Sequence, residues 1–113
     1  MEVKLTRDSV AADDDVQSHD VSFEIDHRRK LSLFLAEIGR RSYLPGIYDG
    51  AATWVVRTGR GGQPVAVIAA QWSEPAMLVE SGAELGEFGD AYHFEYLAQE
   101  DPQAVVNRLH PAP

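Results

Sequence analysis

The chain contains no cysteine, and that single absence removes disulfides, thiolate metal sites and a cysteine nucleophile together. It fits a reducing compartment. Long apolar runs are missing too. The longest, residues 65–70, is far too short to cross a bilayer. The first residues, Met1-Glu2-Val3-Lys4-Leu5-Thr6, lack the basic run and apolar stretch of a secretory leader. The expected location is therefore the cytoplasm, with no membrane partner.

Basic residues are scarce in one half only. Residues 1–60 carry nine Lys or Arg against ten Asp or Glu, whereas residues 61–113 carry Arg108 alone against eight acids. Those eight (Glu74, Glu80, Glu84, Glu87, Asp90, Glu95, Glu100 and Asp101) fall in a window without Lys or Arg, and the whole chain has a net charge of -8. A block of one sign repels nucleic acid and anionic lipid and attracts a basic surface. Hydrophobic residues make up 44% and charged residues 25%, which suits one globular domain spanning residues 1–113.

Alternation marks the strands. Val3 and Leu5 oppose Glu2, Lys4 and Thr6, and Val21, Phe23 and Ile25 oppose Ser22 and Glu24. The two segments read as an antiparallel pair joined through the polar residues 9–19. Leu31, Phe34, Leu35 and Ile38 lie at helical spacing, with Leu33 widening the stripe, Asp26 as the expected N-cap and Glu37–Arg41 as an i, i+4 pair. Residues 53–58 and 64–72 read as a hairpin around a Gly-rich turn, the second strand apolar on both faces and so central in a sheet. Ser73 is expected to cap a short helix over residues 74–79. Tyr92, Phe94 and Tyr96 alternate with His93 and Glu95 in a last strand, and Asp101-Pro102 opens a last helix through Val105, Val106 and Leu109.

The expected architecture is α+β, in the order β-β-α-β-β-(α)-β-α. It predicts a mixed or antiparallel sheet of about five strands with helices packed on one face. This order of elements resembles a β-grasp arrangement. Ubiquitin-type modifiers of that form end in Gly-Gly, and this chain ends in Pro111-Ala112-Pro113.

Several motifs have plain explanations. Asp13-Asp14-Asp15 lacks the spacing and glycine of an EF-hand and reads as a solvated loop. Gly59 to Gly62 is too short for a phosphate loop and reads as a turn. The four histidines show no paired helical spacing for zinc. No cofactor or metal is expected. His93 and Glu95 share a strand face, which suits general acid–base work, although an ordinary exposed sheet face is the expected explanation.

The expected function is therefore non-catalytic protein binding. Glu74, Glu80, Glu84, Glu87, Phe88, Asp90, Tyr92, His93 and Glu95 would form the surface for a basic partner protein. The concrete version is an immunity-type inhibitor covering the cationic cleft of a nuclease toxin, with apolar rings for affinity and carboxylates for steering. The alternatives are an accessory or adaptor domain, a small enzyme using His93 and Glu95, and a homodimer.

Overall fold

The computed structural model describes residues 1–8, 20–40, 52–59, 61–80, 82–98 and 100–109. Among the described residues six strands are present: β1 (Glu2–Arg7), β2 (Val21–Glu24), β3 (Thr53–Arg57), β4 (Pro64–Ala69), β5 (Ala76–Met77) and β6 (Ala91–Tyr96). Two helices accompany them, α1 (Leu31–Arg40) and α2 (Pro102–Leu109). The strands form one sheet in the order β2-β1-β6-β3-β4-β5. All neighbours pair antiparallel except β1 and β6, which run parallel, Leu5 opposite Tyr92 and Thr6 opposite His93. The first hairpin is thus joined to the rest by the last strand, which gives the β-grasp-like element order its spatial meaning.

The β3–β4 hairpin forms in the register Trp54 opposite Ile68 and Val55 opposite Val67, with a bulge after Val56. Arg57 closes it, donating from Nη1 to the Gly62 carbonyl at 3.0 Å and from Nη2 to Glu95 Oε1 at 3.3 Å. β1 and β2 pair as expected, Val3 opposite Phe23. The connecting residues 9–19, Asp13–Asp15 among them, lie outside the described residues, as does Arg41.

Strand alternation assigns the two faces. Val3, Leu5, Trp54, Val56, Ile68, Tyr92 and Phe94 turn toward α1, whose Leu31, Phe34, Leu35 and Ile38 are all buried against them. Phe23 meets Phe34 edge to face at 6.3 Å, and the Trp54 and Tyr96 rings lie 5.0 Å apart. Val55 and Val67 turn the other way and are buried under Leu78, Val105 and Val106. The second helix therefore covers the face opposite α1, not the same face as expected. A central strand with Ala66 and Ile68 on one side and Val67 on the other needs cover on both sides. Fully burying each of the two α2 valines is worth about 1.5–3 kcal/mol.

Three further expectations change. No helix follows Ser73. Ala76 and Met77 pair with Val67 and Ala66 instead, because β4 would otherwise leave an apolar edge without a ladder. This supplies the sixth strand. Asp26 caps a turn, not α1: its Oδ1 accepts the Arg28 amide at 2.9 Å. That amide, then the Arg28 guanidinium, holds the Asp26 carboxyl below the usual carboxylate range. The helix starts five residues later because Lys30 pairs with Glu84 in an isolated bridge. Leu33 is 56% exposed, one position outside the buried stripe. Glu37 pairs with Arg29 at 2.8 Å, and the expected Glu37–Arg41 pair lies outside the described residues. Asp101, by contrast, caps α2 as expected, its Oδ2 accepting the Ala104 amide at 3.0 Å.

Candidate functional site

The sequence-predicted surface residues divide into three groups. Tyr92 is fully buried on the α1 side, its hydroxyl donating to the Leu85 carbonyl at 3.1 Å. Burial pushes the phenol up to about 12. A ring in that position fixes the core and cannot meet a partner. His93 is 3% exposed and engaged on both ring nitrogens, and Glu95 is paired with Arg57, so both leave the candidate surface. The reasons differ: Tyr92 lies in the core under α1, His93 is closed in by Thr6 and Asp8, and Glu95, half-exposed, is held by Arg57. Phe88 is half-buried, packed against the α1-side core.

The second group stays outside. Glu74, Glu80, Glu87 and Asp90 are exposed, and Glu84 is half-buried. They stand on the β4–β5 turn and the long β5–β6 connection. One 3-10 turn, Leu85–Glu87, organises that connection. Glu87 Oε2 accepts the Glu84 amide at 2.6 Å. The segment lies along residues 27–31 through three main-chain bonds: Leu31 N–H to Ala83 at 3.0 Å, Leu85 N–H to Arg29 at 2.9 Å and Gly86 N–H to His27 at 2.8 Å. An acidic run is thus laid beside a basic one. Arg28 and Arg29 are nevertheless engaged by Asp26 and Glu37. Among the described residues no ion pair engages Glu74, Glu80, Glu84, Glu87 or Asp90. Glu95 and Glu100 differ, being paired with Arg57 and Arg108 at 3.3 Å each.

The third group is a polar cluster that sequence reasoning placed only in part. Thr6 Oγ1 lies 2.6 Å from His93 Nδ1, and Asp8 Oδ1 lies 2.8 Å from His93 Nε2. In the neutral ring, Nε2 donates to the carboxylate and Nδ1 accepts the threonine proton. The other Asp8 oxygen accepts the Tyr96 amide at 2.9 Å. A hydroxyl, an imidazole and a carboxylate in this order are the parts of an activated nucleophile. Here the imidazole is shut off from solvent and each member lies on or beside the parallel β1–β6 pair, so the cluster ties strands together. Sequence reading matched His93 with Glu95, its neighbour two residues on. The true partners come from β1, and the available signal was Thr6 and Asp8 sharing one alternation with Lys4.

A shallow groove of about 490 Å³ lies between the β4–β5 turn and the start of α2, lined by Trp72, Glu74, Pro75 and Gln103 among others. Among the described residues no group of three or more His, Asp or Glu is placed to hold a metal ion. No described helix is long and apolar enough to cross a membrane. No protein-family model, no curated protein and no solved structure matches this chain significantly.

Proposed function

We propose that this chain is a non-catalytic binding domain for a basic protein, acting in the cytoplasm, and in its most concrete form an inhibitor of the immunity type. The observation that carries this reading is the set of five carboxylates at positions 74, 80, 84, 87 and 90, none of which is engaged by a described cation. Carboxylates without counterions raise the negative potential around them, which steers a cationic partner and speeds encounter. The rings once expected to anchor such a partner sit in or against the core, so affinity has to come from charge and from smaller contacts. The acid–base alternative loses its pairing, because His93 and Glu95 are each committed to other residues.

The test uses the intact chain and a variant neutralised at three positions that make no main-chain contact through their side chains: Glu74→Gln, Glu80→Gln and Asp90→Asn. Glu84 and Glu87 are spared because they shape the 3-10 turn. Both proteins are used as bait in an extract of the native host at low and at high salt. A basic protein held by the wild type at low salt, and released by salt or by neutralisation, is the expected result. Retention that ignores the three substitutions, or no retained protein, overturns the reading.

A further inference from the structure

In the groove beside α2 a tryptophan and an unengaged carboxylate line the same space. Trp72 is half-buried, packs against the α2-side core and lines the groove. Glu74 is exposed and has no ion pair among the described residues. Gln103, on the first turn of α2, donates from Nε2 to Asn107 Oδ1 at 3.1 Å, which leaves its amide oxygen for an incoming donor. None of the lining side chains is basic.

These features select a ligand by chemistry. Gln71, Ser73 and Gln103 line the groove as neutral groups that both donate and accept, so the Glu74 carboxylate is the one full charge among the lining side chains and sets the sign of the ligand. The carboxylate repels an anion and gives a neutral apolar group no compensation for its own desolvation. A flat cation satisfies both the indole face and the carboxylate. Guanidinium is planar, carries five N–H groups and stacks on aromatic faces, whereas ammonium is a compact, strongly hydrated point charge.

We propose that this groove takes an arginine side chain of the basic partner, its guanidinium stacked on the Trp72 indole and hydrogen-bonded to the Glu74 carboxylate. The proposal rests on the binding function above and names the group that the partner presents to Glu74. Pro75 forms a rigid wall for the arginine methylenes, and Gln103 accepts a remaining N–H.

The probe is a blocked pentapeptide, Gly-Arg-Gly-Arg-Gly, compared with its lysine counterpart. Trp54 is 1% exposed, so a fluorescence change on titration reports Trp72. The arginine peptide should bind saturably and about fivefold more tightly than the lysine one. Glu74→Gln should weaken it about tenfold, and Trp72→Phe, which keeps the packing but thins the π face, about threefold, both followed by calorimetry. Equal affinity for the two peptides, or binding untouched by both substitutions, overturns the groove. Binding that ignores Glu74 and Trp72 but disappears on neutralising Glu80 and Asp90 overturns the groove and leaves the acidic-surface function standing. A basic partner isolated by the host extract whose arginines can all be replaced by lysine without loss likewise removes the groove alone.

Discussion

Asp8 Oδ1 lies 2.8 Å from His93 Nε2, just past the last ladder pair of the parallel β1–β6 junction, Arg7 opposite Phe94. Its second oxygen takes the Tyr96 amide at 2.9 Å, so the carboxylate replaces the main-chain acceptor that β1 would have supplied had it continued. The junction carries unusual weight. It is the contact that binds the first hairpin to the remaining four strands, and parallel pairing closes a long stretch of chain before it is rewarded.

Removing the imidazole should therefore be costly. His93→Ala leaves a buried space and strips both Thr6 and Asp8 of a partner, for an expected loss of about 2–3 kcal/mol in urea unfolding. Asp8→Asn keeps one acceptor but turns the other oxygen into a donor facing either an N–H of His93 or the Tyr96 amide, for about 1–2 kcal/mol. Thr6→Ser keeps the hydroxyl and should stay within about 0.5 kcal/mol of wild type. A His93→Ala loss no larger than that of the serine variant would show that the three residues do not act as a tie.

Much of this junction was legible before any coordinates. Val3, Leu5, Tyr92 and Phe94 alternate cleanly, and alternation is what a strand with one buried face must show. The partner strand of each was not legible, because alternation fixes a face and leaves the neighbour open. For that reason His93 was matched with Glu95 on its own strand, when Thr6 stands on the adjacent one and Asp8 just past its end. The same limit explains residues 74–79. Their local preference suited a capped helical turn, but the uncovered edge of β4 offered Ala76 and Met77 a ladder, and tertiary pairing overrode propensity. The acidic window was visible as composition. Which carboxylates are answered was not, since Arg57 and Arg108 reach Glu95 and Glu100 only in the folded chain.

Tyr92 gives a pH test with a defined sign. Its phenol is raised to about 12 in the folded chain by burial, against an ordinary value of about 10. Between those values the unfolded chain has lost the proton and the folded one retains it. Stability from this group is thus fully present below pH of about 10 and is lost as pH rises through about 12. Tyr92→Phe should flatten that alkaline decline, while costing about 1 kcal/mol near neutrality through the unpaired Leu85 carbonyl. Phenolate absorbance should show a late-titrating tyrosine in wild type that is missing from the variant. An unchanged titration curve would place the burial effect elsewhere.

Asp101 tests the cover on the second face. Its carboxylate satisfies the Ala104 amide, an otherwise orphan donor of the first turn of α2. Asp101→Ala should cost about 1 kcal/mol, and hydrogen exchange should quicken in residues 102–109 before it does in β1 or β6. Val105→Ala acts on the same helix through packing and should cost more than the cap. If exchange rose evenly through the sheet, α2 would be integral to the global unfolding unit and not a separately opening cover.

The glycines of the β3–β4 turn separate two mechanisms at neighbouring positions. Gly59 and Gly61 have φ of +75° and +77° with open space where a Cβ would stand, so alanine there meets only backbone strain, about 1 kcal/mol each. Gly62 has no such φ, yet a Cβ would fall 2.0 Å from the Thr58 carbonyl oxygen. That oxygen cannot give way cheaply, because the Thr58 amide is held by Gln63 at 3.0 Å and its hydroxyl accepts the Gln63 amide at 3.1 Å. Gly62→Ala must therefore open the turn and release Arg57 Nη1 from the Gly62 carbonyl, which loosens the Arg57–Glu95 pair beside it. The expected cost is about 2–3 kcal/mol, clearly above either neighbour, with chemical-shift changes reaching Glu95 on β6. Equal costs at all three positions, with Glu95 undisturbed, would mean that positive φ alone governs the turn and that the close approach of Thr58 relaxes without resistance.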